Sequence, residues 1–451
     1  MTDPFVVIGG DAAGMSAASK AKRDDPSREV IVFEKGSWVS YAACGMPYYV
    51  KGSVDELDDL VAMTPETFRE ERDIDLRTGH EVVSINRGEQ TVTVATGDEQ
   101  FEQPYGDLLI GTGAQAIVPP FDGFDRDGVF TLRGMDEADA IERYVDTQEP
   151  ATAAIVGGGY VGIEMAEALT EHGIDVTIFE MLPRTLQPFG EEAARIVEGH
   201  LRDQGVDLQL ETAVQGFSGG EAVDAVEVEG DEDPVPADIV IVGVGVAPNV
   251  ELAEDAGIEL GPTGAIATDE FGRTNDESVY AAGDCAEATN VVTGEPDHVP
   301  LALTANRAGR AIGATVAGEP AQIGKTAGTA IVKAFELGAA RTGVLDAERA
   351  REAGFDPVSV TIDAPTRPHY YPGATELTVT LVADRESERV LGASIVGRKG
   401  TKRIDTVATA LHASLTVTEL QNLDLAYAPP FSPVWDPVLT AAKVLSGKLE
   451  G

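Results

Sequence analysis

Cysteine is almost absent from this chain. There are two in 451 residues, Cys44 and Cys285. Two cysteines cannot form a disulfide framework, and their scarcity fits a reducing compartment. No apolar run reaches the ~18 residues that read as a membrane span, so no membrane role is expected. The N-terminal "MTDP" passes directly into "FVVIGG" without the charged lead and cleavage site of a signal peptide. A cytoplasmic location is therefore expected. Positive charge is scarce too: 33 Lys+Arg stand against 77 Asp+Glu, a net charge of −44. Such a surface repels phosphate backbones, so no nucleic-acid partner is expected. The acids are spread along the whole chain rather than gathered in a tail. That pattern suits molar salt, where the screening length falls to about 3 Å and self-repulsion is suppressed. A halophilic archaeal source is expected, and no metal site.

The chain does contain repeated α/β grammar. "PFVVIGG" reads as a buried parallel strand, followed by a small-residue helix "GMSAASKAKR" and a second strand "EVIVFEK". The same order recurs at 152–180 in "TAAIVGGGYVGIEMAEALTEHGIDVTIFE". "DLLIGTGAQAIVPP" and "ADIVIVGVGVAPN" are each a strand running into a glycine turn, one per unit. From about residue 325 the pattern alternates with period two, which predicts antiparallel strands, with helices near 400–415 and 434–446. The fold class is α/β with two dinucleotide-binding domains and a C-terminal α+β domain. The expected boundaries are 1–120 with 250–324, then 121–249, then 325–451.

In the second unit, Gly157, Gly159 and Gly162 complete a G-x-G-x-x-G between strand and helix. Such glycines bring backbone N–H groups to a pyrophosphate at the helix N-terminus. Glu180, 18 residues past Gly162, is placed for a ribose diol. The acid favours NADH, while nearby Arg184 keeps NADPH open. The first unit has Gly9, Asp11 and Gly14, with Glu34 as its ribose acid. Asp11 is expected to turn away from the phosphates or to cap the following helix. "YAAGDCAEA" adds Asp284 at a strand end, beside Cys285, which reads as a small buried residue.

These motifs resemble the FAD-dependent pyridine nucleotide-disulfide oxidoreductases, which carry two Rossmann-like domains and a dimerisation domain. Most members place a C-x-x-x-x-C pair after the first unit. Here "SYAACGMPYY" has Cys44, but the residue five positions on is Tyr49. The segment is similar to the single-cysteine branch of coenzyme A disulfide reductases, NADH oxidases and NADH peroxidases, and the resemblance covers the whole chain. In the oxidases and peroxidases the fourth residue of the first glycine turn is a histidine. Here it is Ala12, as in the coenzyme A disulfide reductases.

The resemblance implies FAD and NADH or NADPH as cofactors, coenzyme A disulfide as substrate, and a homodimer. It implies that Gly9, Gly10, Ala12, Ala13, Gly14, Glu34 and Lys35 hold FAD, together with Val82, Thr112, Gly113, Asp284 and Ala302. The nicotinamide side falls to Gly157, Gly159, Tyr160, Val161, Gly162, Glu164, Glu180 and Gly245, with Tyr160 moving aside for the ring. Cys44 is the implied redox cysteine, its thiolate favoured by the flavin and a helix N-terminus. Ser16, Lys20, Arg23, Ser40 and Arg72 are the implied coenzyme A contacts. An asparagine usual before the cysteine is replaced by Ala43. Tyrosines of the partner subunit protonate the departing thiolate: Tyr427 with Tyr370 or Tyr371. Alternative readings are an NADH oxidase, a polysulfide or persulfide reductase (though without the rhodanese-like domain some of these carry) and an electron-transfer flavoprotein serving a protein partner.

Overall fold

The computed structural model describes residues 3–230 and 233–450. Met1 and Thr2 of the "MTDP" stretch lie outside the described residues. Three five-stranded sheets form the frame. In the first, the strands Val279–Ala281, Asp107–Ile110, Phe5–Ile8, Val30–Glu34 and Asp75–Thr78 lie side by side, all parallel. Runs such as "FVVI" and "VIVF" are buried throughout, as parallel strands covered on both faces must be. One edge strand, Val279–Ala281, enters long after the rest. In the second sheet, Asp207–Leu210, Asp175–Glu180, Thr152–Val156, Ile239–Val242 and Val129–Thr131 repeat the parallel arrangement.

Each parallel sheet is accompanied by a three-stranded antiparallel sheet. One comprises Glu81–Asn86, Thr91–Thr96 and Glu99–Pro104. The other comprises Val214–Gly219, Val223–Val228 and Val235–Pro236. The two glycine-turn linkers meet as an antiparallel ribbon, Ala114–Ala116 against Val246–Pro248. The third large sheet, Ala330–Ala334, Leu337–Gly343, Val390–Gly397, Glu376–Asp384 and Pro357–Pro365, is wholly antiparallel. The helices Ile404–His412 and Pro437–Glu450 pack their apolar residues Val407, Leu411, Val438 and Leu445 into its core.

What positions the site is the junction of the three units. Met46 and Val50, just after Cys44, share one apolar cluster with Ile163 and Leu169 of the second unit and with Val332 and Leu337 of the third. A polar tie crosses the same junction. The buried Glu167 carboxylate accepts from Lys51 Nζ at 2.5 Å, from Lys333 Nζ, and from the Phe335 N–H at 2.7 Å. Burial alone would raise this carboxyl. The two ammonium groups and the amide outweigh it and hold the group below its ordinary value.

Candidate active site

A cavity of about 1510 Å³ opens at the carboxyl end of the first sheet, where ligands of parallel α/β units bind. It is lined by Gly9, Gly10, Ala12, Glu34, Lys35 and Val82, and further by Thr112, Gly113, Asp284 and Ala302. Cys44 lines it as well. So do Ser16, Lys20, Arg23, Ser40 and Arg72. The residues read as flavin contacts and those read as coenzyme A contacts thus share one cavity with the cysteine. Ala13 and Gly14 sit behind its wall.

The glycine turns fit dinucleotides. A Cβ on Gly14 would lie 1.9 Å from the Gly9 carbonyl oxygen, and one on Gly162 would lie 2.0 Å from that of Gly157. These glycines are demanded by the chain itself. Gly159 is different: a Cβ there meets nothing within 4 Å, so the space beside it is open for a ligand. The helices Ala12–Asp24 and Tyr160–Glu171 both begin without a side-chain cap and without an acid in the first turn. Both helix N-termini therefore keep backbone N–H donors without a side-chain acceptor. The two acids read as ribose contacts brace their own turns. Glu34 accepts from the N–H groups of Gly10 at 2.8 Å and Gly36 at 2.7 Å. Glu180 does the same for Gly158 at 2.7 Å and Leu182 at 2.8 Å.

Of the two expectations for Asp11, the helix cap is not met. The residue precedes the first helix but makes no capping bond. Its carboxylate instead accepts from the Tyr41 N–H at 3.2 Å, and burial raises its pKa to about 6. The aspartate therefore holds the cysteine segment against the first turn. That segment is also strained: Ser40 has φ +48°, fixed by its N–H to the Gly10 carbonyl and its carbonyl to the Ala62 N–H.

Cys44 lies in the 3₁₀ turn Ala43–Gly45, which runs into the short helix Met46–Val50. It is exposed to the cavity. The expected thiolate preference is not supplied by the protein groups around it. Partial desolvation pushes the thiol up, Glu164 and Asp284 add to this, and Arg133 opposes them. Glu164 itself is raised to about 7 by burial and accepts from the Tyr48 hydroxyl at 3.1 Å. Removing an anion that faces a thiol lowers the thiol's pKa. A Glu164→Gln variant should therefore shift the pH profile of Cys44 alkylation to lower pH and raise its rate at pH 7 about threefold. An unchanged profile would show that Glu164 does not sense the thiol.

Several contributors escaped the sequence reading. Arg133 donates to Asp284 at 2.7 Å and to the Ala114 carbonyl at 2.8 Å, clamping the ribbon to the cavity wall. Asn306 receives the Ser16 hydroxyl at 2.6 Å. Arg307 and Arg310 line the cavity. None lies in a recognisable motif; charge scarcity was the available signal. The residues read as nicotinamide contacts, Gly157, Gly159, Tyr160, Val161, Gly162, Glu164, Glu180 and Gly245, do not line this cavity and belong to the second unit. Tyr160, partly buried, lies edge-on to Phe189 with ring centroids 5.4 Å apart. The three tyrosines also lie outside the cavity. The hydroxyls of Tyr370 and Tyr427 are 3.4 Å apart, while Tyr371 lies under the Arg367 guanidinium. Cys285 is fully buried, its S–H against the Ile110 and Ala282 carbonyls.

Two stacked dinucleotide units with an antiparallel third domain define a class of two-cofactor flavoprotein. Residues 3–309 match the family Pyridine nucleotide-disulphide oxidoreductase, and residues 329–437 match its dimerisation domain. The chain belongs to this family and is an enzyme that uses FAD and NAD(P)H. It is 41% identical over 446 residues to the NAD(P)H coenzyme A polysulfide/persulfide reductase of Pyrococcus horikoshii, covering 99% of each chain. It is 33% identical over 432 residues to the coenzyme A disulfide reductase of Staphylococcus haemolyticus, covering 95% of this chain and 96% of that one. The NAD-dependent persulfide reductase of A. fulgidus superposes with a TM-score of 0.96 at 41% identity, covering 99% of this chain and 84% of that one. Among the described residues, no helix is long and apolar enough to cross a membrane.

Proposed function

We propose that this protein reduces coenzyme A disulfide to the thiol, with Cys44 as its single redox cysteine. The observation that carries this is the isolation of Cys44. The other cysteine is buried and bonded to backbone carbonyls. The second sulfur of the exchange must then arrive with the substrate. Bound NAD(P)H supplies a hydride, and bound FAD relays its two electrons to the sulfur centre. The chain's own residues do the rest. Arg23 and Arg72 engage coenzyme A phosphates, and Ser16 and Ser40 hold the arm near the cysteine. The Cys44 thiolate attacks one sulfur of the disulfide, forms the Cys44–S–S–CoA bond and expels the other half as thiolate. Two electrons then cleave the mixed disulfide, releasing the second coenzyme A as thiolate and returning the Cys44 thiolate; protonation of the two released thiolates completes two thiols per NADH.

Arg184 is engaged by Glu198 at 3.6 Å and Glu191 at 3.9 Å, which supports NADH over NADPH. A second reading, reduction of coenzyme A persulfide or polysulfide, is favoured by the 41% identity to a polysulfide/persulfide reductase. Peroxide chemistry is less well supported: Ala12 lines the cavity where the oxidases carry histidine. His80, which also lines it, is hydrogen-bonded to the Thr78 carbonyl and stacked on Phe33. The test is turnover of NADH in molar KCl with coenzyme A disulfide, polysulfide, peroxide or oxygen. Two thiols released per NADH with coenzyme A disulfide supports the proposal. NADH consumption that follows oxygen alone refutes it.

A further inference from the structure

The cavity that contains Cys44 continues into a second groove of about 760 Å³, and Lys20, Arg307 and Arg310 line both. Two parallel helices build this extension. Ala302–Val316 lies on Ala12–Asp24 with Gly309 against Ala13 and Gly313 against Ala17. A Cβ on Gly309 would be 2.0 Å from the Ala13 carbonyl oxygen, so the two backbones touch without side chains between them. Polar residues beside that seam then face a common groove. The Ser16–Asn306 hydrogen bond crosses it at 2.6 Å. Arg307 is anchored by the carbonyls of Ile323 and Lys325 at 3.3 and 3.4 Å. Arg310 is exposed and makes no ion pair among the described residues. The groove is not purely basic: Asp24, paired with Lys20, and Glu319 also line it.

Arg23 and Arg72 line the first cavity but not the second groove. Arg307 and Arg310 thus carry positive charge from the first cavity into the second groove, while Arg23 and Arg72 stay with the first. Coenzyme A disulfide has the matching form. It is one disulfide with two arms, each bearing a diphosphate and a further phosphate. Those arms repel one another, and they must approach a protein of charge −44. A site with cations on one side only would leave the phosphates of the second arm without a direct partner.

Building on the coenzyme A reading above, we propose that the second groove, through Arg307 and Arg310, binds the phosphates of the departing half of coenzyme A disulfide. Arg23 and Arg72 bind the half that becomes joined to Cys44. In the exchange, the Cys44 thiolate forms a bond to one sulfur, the S–S bond of the substrate breaks, and its electron pair leaves on the second coenzyme A as thiolate. That thiolate belongs to the arm held by Arg307 and Arg310. The second groove would thereby select a substrate with two nucleotide arms over a persulfide, which has only one.

The experiment compares two substrates at one fixed KCl concentration. The first is coenzyme A disulfide. The second is the mixed disulfide of coenzyme A with 2-mercaptoethanol, whose departing half has no phosphate. Arg310→Gln and Arg307→Gln should each lower the ratio of kcat/KM for the first substrate over the second about tenfold, the scale of one lost charge-assisted hydrogen bond. Arg310→Lys, which keeps the charge, should restore much of the ratio. Arg23→Gln should lower kcat/KM for both substrates together. Flavin content reports on folding of each variant. A ratio unchanged in Arg310→Gln and Arg307→Gln, or an equal loss on both substrates, overturns the proposal. A wild-type enzyme inert with both substrates overturns the coenzyme A reading beneath it and this proposal with it, a result distinguishable because no ratio then exists.

Discussion

A Cys44→Ser holoenzyme is expected to lose turnover of coenzyme A disulfide by at least about a thousandfold, roughly 4 kcal/mol of transition-state stabilisation, while NADH still bleaches its flavin. The first half of this expectation follows from the sulfur inventory. Cys44 is open to the cavity, and Cys285 is sealed beneath it with its S–H engaged. A serine at position 44 has no comparable nucleophile and cannot form the mixed disulfide. The second half follows from the layout. The residues read as nicotinamide contacts lie in the second unit and share no cavity lining with Cys44. The substitution is nearly isosteric at an exposed position, so the fold should be unaffected. Stopped-flow absorbance separates the two half-reactions. Mass spectrometry of the wild-type protein should find coenzyme A mass on Cys44, and none on the variant. Disulfide turnover that survived the substitution would remove Cys44 from the chemistry.

The parallel units were legible in the sequence because their signals are local and redundant. A buried run, a glycine turn, a small-residue helix and a terminal acid occur together twice. The acid then does more than the motif suggests. Glu34 and Glu180 each tie two backbone amides of their own unit, which explains why strand end and turn are one structure. The antiparallel sheet Glu81–Pro104 was not singled out. Its strands are half exposed, with glutamate and glutamine on the outer face, so its alternation is weak. The bond that Asp11 makes in place of a helix cap is illegible for another reason. Its partner, Tyr41, is thirty residues away, and sequence shows only the helix that follows. The protein groups that act on the Cys44 thiol are equally distant in sequence. Glu164 lies 120 residues on and Asp284 further still, and both raise the thiol. Arg307 and Arg310 gained meaning only when one helix was found against another. Charge scarcity marked the first-helix cations but could not connect them with a helix near residue 310.

Replacing both Tyr370 and Tyr427 by Phe is expected to slow coenzyme A disulfide turnover about a hundredfold, within the usual range for loss of a general acid. The two hydroxyls are 3.4 Å apart, and the bond to Tyr427 raises the Tyr370 phenol, which favours its protonated form. Each single variant should lose less, since one hydroxyl remains. The pair is exposed and does not line the cavity of its own chain. Around it Phe431, Val434 and Trp435 are 75, 65 and 58% exposed, an apolar patch on an otherwise acidic surface. A second copy of the chain would cover that patch and bring the tyrosines to the partner's Cys44 cavity. Mixing variants tests this arrangement. Cys44→Ser subunits and Tyr370→Phe/Tyr427→Phe subunits are each nearly inactive alone. After dissociation and random reassociation, half the dimers are mixed. In each of these, one site combines an intact Cys44 with intact tyrosines from the other subunit. About a quarter of wild-type activity should then return. If the tyrosines served their own chain's cysteine, every site in the mixture would remain defective and no activity would reappear. Recovery therefore reads out the crossing of subunits, which a loss of activity in the double variant alone does not.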